Sequence, residues 1–364
     1  MIKRYFFLGI TSIITLFLFV ACFSHTHDSN VSCDITKGGE YIIKWDVFPK
    51  AQGDVTIYIS DNPNEFDTDD DPVAVVSADD GVAYLPTPDP LKRHYFLIDF
   101  NGCFSRIVAA RASFVRSAYD FRDLGGYSGT GEKKTKWGMI YRTGTLDTLT
   151  AIDVERIKNI APKTIVEYRD KDECRYSASE LGVENVVYLP YTKFNVDSII
   201  EKVYRGEFTS DEARIVLNEY YFSMIEGDAK DAYSELFDVL ADDDNYPIIL
   251  SSQYGKGFND MASLFILSSL GVATNEIYED YTWANKYFCK TRMINKISHL
   301  PIEVREAVAS AIHNNHKDMS NLVNSMQNLY GSIDKYLIDS LDLTLDKRRD
   351  IHKILLVDES KLTL

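Results

Sequence analysis

The pattern of apolar and polar positions along the chain changes near residue 115. Before it, apolar and polar residues alternate in short runs, and Pro, Gly, Asn and Asp fill the breaks. Many short strands with turn residues at this spacing predict an all-β sandwich over residues 33–114, with Trp45, Tyr58 and Phe96 in its core. The runs that carry this pattern are residues 40–46, 54–60, 73–77 and 95–99.

After residue 115, strand-like runs alternate with longer helical runs, which predicts an α/β domain over residues 115–364. Thr150 and Asp153 have the spacing of a helix N-cap and its third residue, so a helix is predicted over residues 150–160. Residues 259–270 are largely apolar and have helical length, which predicts a buried helix. Strands are predicted at 140–142, 164–168 and 247–250, a helical region at 208–240, and a mostly helical tail at 301–357 with loops near Gly331 and Asp342.

The first 21 residues have the composition of a secretory signal. Two basic residues precede an apolar run at residues 6–20, and a small residue precedes Cys22. Residues 19–22 resemble a bacterial lipobox, which implies a lipidated Cys22, a polar tether over residues 22–32 and a lipid anchor in the bacterial cell envelope. The alternative is an ordinary signal peptide or a membrane anchor, but the run is shorter than the about 20 residues that a spanning helix needs.

The overall charge limits the partners that this chain can bind. Lys and Arg number 39 against 55 Asp and Glu, which gives a formal net charge of -16. A nucleic-acid backbone is polyanionic and needs a basic surface, so no nucleic-acid partner is predicted. The aspartate runs at residues 67–71 and 242–244 are interpreted as solvated loops, and no metal or cofactor site is predicted from them.

The cysteines beyond Cys22 show no metal-binding spacing. An exported compartment permits disulfides, and Cys33 and Cys103 bracket the predicted sandwich. A disulfide between these two residues is therefore one prediction, with isolated thiols as the alternative. The remaining cysteines are Cys174 and Cys289.

Four segments, in the same order and spacing, resemble the bacterial tyrosine/serine protein phosphatase family. One of them, at residues 119–127, differs from the family's Asn-Phe-Arg-Asp-Leu-Gly-Gly-Tyr only in having Asp120 for the asparagine. The others lie at residues 137–146, 164–173 and 247–272. The resemblance covers residues 115–357 and implies the fold of the Cys-dependent tyrosine phosphatases, a parallel-rich central sheet flanked by helices. The smaller N-terminal domain resembles an immunoglobulin-like or fibronectin type III-like module in size and strand rhythm.

In that family, the fourth segment carries the sequence His-Cys-x-Ala-Gly-Lys-Asp-Arg-Thr-Gly. Loop N–H groups and the following helix N-terminus lower the pKa of the cysteine and hold the phosphate oxygens. The arginine binds two oxygens and stabilises the transition state. The cysteine attacks phosphorus, and water then cleaves the thiophosphate.

This chain departs from that motif at the positions that carry the chemistry. Ser252 stands at the nucleophile, and a serine hydroxyl needs a neighbouring base to react. Phe258 stands at the arginine, where its apolar ring is expected to take the place of the anion. No remaining cysteine has an arginine six positions later, so no displaced nucleophile restores the motif. The other replacements are Ser251, Gln253, Tyr254, Gly257 at the loop aspartate and Asn259, whereas Gly255 and Lys256 match the family.

The resemblance also places several charged residues near the pocket. They are interpreted either as ligand-binding groups or as ion pairs that hold the fold together. Glu167 replaces an aspartate of the family's active site, and Lys256 is a candidate group for attracting an anion. The remaining charged positions carried over from the family are Arg122, Asp123, Arg142 and Arg169.

Three functional hypotheses follow. The first is a catalytically degenerate, phosphatase-like envelope lipoprotein that binds a peptide, a protein or a small anionic ligand. The second is a divergent active phosphatase or hydrolase, which predicts a titratable base at roughly 3 Å from Ser252. The third is a structural or adhesive envelope protein, which predicts a pocket filled by Phe258 and Tyr254.

Overall fold

The computed structural model describes residues 28–359, apart from 37, 113, 191–201, 203–204, 208, 228, 288–297, 303–304, 307–308 and 310–312. Among the helices described, none combines the length and the apolar character that crossing a bilayer requires. Cys22, the secretory signal and Cys289 lie outside the described residues.

Two antiparallel sheets form the N-terminal domain. One has the order β1-β2-β5 and the other β4-β3-β6-β7, and side chains from both sheets fill the core between them. This confirms an all-β sandwich, and its assignment as immunoglobulin-like or fibronectin type III-like stays a prediction. The strands are β1 (Asp28–Ile35), β2 (Tyr41–Phe48), β3 (Asp54–Ser60), β4 (Ala74–Ser77), β5 (Val82–Leu85), β6 (Tyr95–Phe100) and β7 (Phe104–Ala109).

Two predictions for this domain were wrong, and one pair of alternatives is decided. Residues 28–32 belong to β1 and pair with β2, although their polar composition is typical of a tether. Tyr58 does not lie in the sandwich core; since side chains alternate along β3, it points to the opposite face from Ile57. Cys33 and Cys103 are not joined in a disulfide, so the alternative of separate thiols holds; the first is buried and the second exposed.

The α/β domain is built on a five-stranded sheet. Its order is β12-β11-β13-β10-β8, with the first four strands parallel and β8 antiparallel at the edge. The strands are β8 (Arg122–Asp123), β9 (Lys134–Thr135), β10 (Ile140–Thr143), β11 (Thr164–Glu167), β12 (Asn185–Tyr188), β13 (Ile248–Ser251) and β14 (Leu356–Val357), and the last pairs with β9.

Helices pack on this sheet where the apolar pattern predicts them. The helices are α1 (Ala151–Ile160), α2 (Ser210–Ser223), α3 (Ala229–Leu240), α4 (Phe258–Ser269), α5 (Thr274–Tyr287), α6 (His316–Tyr330), α7 (Ile333–Ser340) and α8 (Leu345–Leu355). The side chain of Thr150 accepts a hydrogen bond from the N–H of Asp153, which confirms the predicted N-cap of α1. The helix α4 is buried along nearly its whole length, as expected for an apolar helix behind a central strand.

The strand register brings the ends of three parallel strands to one level. Thr143 at the end of β10 and Glu167 at the end of β11 both pair with Ser251, the last residue of β13. Ligand sites of open parallel sheets lie at the carboxyl ends of their strands. The loop at residues 252–257, between β13 and α4, therefore occupies the position in the fold where a site is expected.

The two domains share a small apolar cluster. Trp137 is 8% exposed and packs with Tyr95, Leu97 and Ile107 of the sandwich. Its indole Nε1 donates a hydrogen bond to the carbonyl of Ile107 at 3.1 Å. One aromatic ring of the α/β domain thus anchors the sandwich by both packing and a hydrogen bond.

Replacing Trp137 by Ala is expected to lower the free energy of unfolding by about 3–5 kcal/mol, because it removes a large buried ring at this junction. Urea denaturation of the mature chain measures this loss. Tyr84→Ala is the matched control, since Tyr84 is 65% exposed. Equal effects of the two substitutions would contradict an anchoring role for Trp137.

Candidate functional site

Close backbone contact holds the loop at residues 252–257 against the end of β10. Gly255 has φ +71°, and a Cβ atom there would lie 2.9 Å from the amide nitrogen of Gly144 and 3.2 Å from the carbonyl carbon of Thr143. A larger residue would push the loop away from the sheet. The match of Gly255 to the family is therefore explained by geometry rather than by chemistry.

The nucleophile position holds a serine that is hydrogen-bonded to backbone carbonyls. The Oγ of Ser252 donates to the backbone carbonyl of Lys256 at 3.4 Å, and its N–H donates to the carbonyl of Thr143 at 3.3 Å. Among the described residues, neither hydrogen bond of Ser252 involves a titratable side chain. The ammonium group of Lys256 bonds to the side-chain oxygen of Asn314. Within the described part of the chain, the hydroxyl is therefore not hydrogen-bonded to the side-chain base that a serine nucleophile requires.

The side chain at the arginine position is part of the hydrophobic core. Phe258 is 3% exposed, and its ring stacks on Tyr168 at 4.8 Å and lies 5.3 Å from the ring of Tyr233. The expectation that this ring takes the place of the anion was therefore wrong. As the first residue of α4, Phe258 turns away from water and joins the two tyrosines.

Two fully buried arginines lie behind the loop and are neutralised by three aspartates. Arg122 pairs with Asp120 at 3.1 Å and with Asp280 at 3.0 Å. Arg142 pairs with Asp260 at 2.6 Å, Asp120 at 3.3 Å and Asp280 at 3.5 Å. These five residues form one network, called here the buried ion cluster.

The carboxylates of the buried ion cluster differ in their protonation behaviour. Burial raises the pKa of Asp120, and the attraction of Arg122 and Arg142 only partly opposes it. Burial acts in the same direction on Asp280, but the two arginines and the hydroxyl of Tyr127 outweigh it and hold its pKa below the usual range. These contacts thus hold Asp280 as an anion more firmly than Asp120.

Asp260 links the buried ion cluster to the loop. Its Oδ2 accepts hydrogen bonds from the N–H of Gly257 at 3.0 Å and from the hydroxyl of Tyr221 at 2.9 Å. Its Oδ1 accepts from Arg142 Nη2 at 2.6 Å, and the same nitrogen donates to the carbonyl of Gly255. Sequence reasoning missed this residue, although it stands where the family motif ends in glycine.

Lys256 is the cation of the loop itself. It is half-buried, and burial lowers its pKa to about 8 although Asp260 and Asp120 act in the opposite direction. Asn314, which sequence reasoning also missed, accepts from Lys256 and donates to the carbonyl of Tyr281 at 2.8 Å. The lysine is therefore tied to α5 and α6 rather than projecting freely from the loop.

A second set of ion pairs lies beside the loop at the end of β11. Arg169 pairs with Glu167 at 3.0 Å and with Asp147 at 2.7 Å. Glu167 also accepts from the hydroxyl of Ser251 at 2.9 Å. Burial raises the pKa of the nearby Cys174 to about 12, with Glu167 acting in the same direction, so this thiol is not a substitute nucleophile.

Asp123 is not brought to the loop. It faces the junction of the two domains, where it pairs with Arg93 of the sandwich at 2.9 Å and accepts from the N–H of Gly138 at 2.7 Å. Adjacent residues of a strand point to opposite faces, so Arg122 reaches the loop side and Asp123 does not. Its position here fits a structural role.

Replacing Phe258 by Ala is expected to lower the free energy of unfolding by about 3–5 kcal/mol, because it opens a cavity beside Tyr168 and Tyr233. Urea denaturation measures the loss, with Phe48→Ala as the matched control because Phe48 is 77% exposed. If the ring of Phe258 instead lay over an open loop, Phe258→Ala would lower the free energy of unfolding no more than Phe48→Ala does. That result would contradict the core position of Phe258.

Comparison with known proteins identifies the family of the α/β domain. Residues 114–357 match the tyrosine phosphatase family. A protein of Cupriavidus necator, named as a candidate tyrosine-protein phosphatase, is 23% identical over 236 residues, which cover 63% of this chain and 83% of the relative. The chain therefore belongs to the tyrosine phosphatase family.

Proposed function

We propose that this protein is a catalytically degenerate member of its family that binds a ligand instead of hydrolysing a phosphate ester. The observation that carries the proposal is the surroundings of Ser252, whose hydroxyl bonds to the carbonyl of Lys256. An alkoxide is a far poorer leaving group than a thiolate, so a phosphorylated serine would stall turnover even if it formed.

The loss of transition-state stabilisation supports the same proposal. Phe258 supplies no hydrogen-bond donor, and Arg142 is already engaged by Asp260 and the carbonyl of Gly255. Removing one preorganised donor from an active site lowers rates by about 10²–10³. The combined loss of nucleophile and arginine is expected to exceed that factor.

The loop surface favours a peptide or protein as the ligand. Gln253 is exposed and Tyr254 is half-buried, so the loop presents an amide and an aromatic group together. Aromatic side chains are enriched at the contact surfaces of protein complexes. A small anionic ligand is less favoured, because carboxylates already neutralise the arginines behind the loop.

We expect the mature protein to release no phosphate from p-nitrophenyl phosphate or from a phosphotyrosine peptide above the level of Ser252→Ala. Continuous absorbance and phosphate-release assays measure this. Activity that depends on Ser252 would overturn the proposal and favour the divergent hydrolase.

A reversion series is the positive control for these assays. The variant Ser252→Cys, Gly257→Asp, Phe258→Arg restores the side chains of the family motif at three positions. Asp260→Gly added to the three removes the carboxylate that engages Arg142, so the fourfold variant is expected to be the more active. An inactive but folded fourfold variant would show that the scaffold around the loop has also changed.

We further propose that the chain is a lipoprotein of the bacterial cell envelope, anchored through Cys22. The basic start, apolar run and lipobox-like residues 19–22 support this assignment. Expressed from its full sequence in a bacterium, the protein is expected to incorporate an alkyne-labelled fatty acid and to lose the label in Cys22→Ala. Cys33→Ala is the matched control and keeps the label. An unlabelled wild-type protein would contradict lipidation.

A further inference from the structure

We propose that Asp260 is the resident anion of the loop and that its carboxylate excludes phosphate from the family's anion site. This inference rests on the proposed function. It concerns the binding of phosphate, whereas the proposed function concerns the loss of phosphate-ester hydrolysis. The argument depends on the groups that converge on Asp260 and on the charge that surrounds it.

Three donors of different kinds converge on this one carboxylate. They are the loop N–H of Gly257 at 3.0 Å, the phenol of Tyr221 at 2.9 Å and the guanidinium of Arg142 at 2.6 Å. Loop amides and an arginine are the groups by which proteins hold phosphate oxygens. With Asp260 in place, an incoming anion would have to displace a carboxylate that is covalently attached and already oriented.

These contacts exceed what a helix cap requires. Asp260 is the third residue of α4, and an acid at that position commonly accepts the N–H of the N-cap residue, here Gly257. That bond uses only Oδ2. The other oxygen of Asp260 receives the shortest of the ion pairs of Arg142, in a place where the carboxylate is 2% exposed.

The balance of buried charges around Asp260 also opposes the binding of phosphate. The buried carboxylates of Asp120, Asp260 and Asp280 formally balance the cations of Arg122, Arg142 and Lys256. A phosphate dianion added to this balanced group would be an uncompensated buried charge, which is strongly unfavourable. Removal of Asp260 leaves one positive charge in excess, takes away the acceptor of the Gly257 N–H, and removes one partner each from Tyr221 and Arg142.

The test measures anion binding directly, with inorganic phosphate and tungstate as probes in isothermal titration calorimetry at constant ionic strength. Asp260→Gly, which restores the family residue, is expected to bind both anions at least about tenfold more tightly than the wild-type protein, since a charged hydrogen bond becomes available. Asp120→Asn is the matched control. It also restores a family residue and removes one negative charge from the same cluster, but it frees no loop amide, and we expect it to leave the affinity within about threefold.

A second measurement covers the case in which the glycine variant is destabilised. Formate and acetate are small enough to replace the missing carboxylate, so each is expected to raise the melting temperature of Asp260→Gly above that in chloride of equal ionic strength. The wild-type protein and Asp120→Asn are expected to show no such difference. Asp260→Asn, which keeps the size of the side chain, is expected to bind phosphate more tightly than the wild type but less tightly than Asp260→Gly.

Two results would overturn the inference. One is wild-type protein that binds phosphate as tightly as Asp260→Gly; the other is an equal gain of affinity in Asp120→Asn, which would assign the effect to charge alone. Neither result bears on catalysis. Phosphate release by the wild-type protein would instead refute the proposed function, so the two failures are distinguishable.

Discussion

The ion pair between Arg142 and Asp260 is the contact on which the arrangement around the loop depends. It joins the end of β10 to the first turn of α4 across the loop, with both side chains buried. A guanidinium keeps its proton even when buried, so it requires carboxylates around it. Arg142 meets three of them, and Arg122 shares two. The relative positions of β8, β10, α4 and α5 are therefore fixed by ion pairs as well as by packing.

The backbone of the loop persists for reasons that do not involve catalysis. Gly255 fits against Gly144 with no space for a side chain. The amide of Asn259, at a position where the family has threonine, donates to the carbonyls of Thr143 at 2.7 Å and Leu250 at 3.3 Å. These contacts bind α4 to two strands and satisfy buried carbonyl groups. The loop thus keeps its backbone shape although Ser252 and Phe258 stand where the family has cysteine and arginine.

Most of the fold could be predicted from the sequence, because period-two alternation and helix caps are local signals. The helix after Thr150 was predicted from its cap and the strand before the loop from its short apolar run, and both are confirmed. β1 was missed because a polar strand is held by backbone pairing with β2, which composition does not report. The direction of Phe258 also could not be predicted, since it depends on the partners Tyr168 and Tyr233, which are distant in sequence.

For Asp260, the sequence already shows that an aspartate replaces the family glycine. Its hydrogen-bond and ion-pair partners, however, could not be predicted from the sequence. Relative to the family pattern, Phe258 removes a positive charge and Gly257 removes a negative one, so these two changes cancel. Asp120 and Asp260 add two carboxylates, and Ser252 removes the thiolate of the family cysteine, so the surroundings of the loop become one charge more negative. That shift opposes phosphate binding and also satisfies the arginines that phosphate would otherwise satisfy. The replacements are therefore coupled: a loop without its anion needs the aspartates to keep its buried arginines paired.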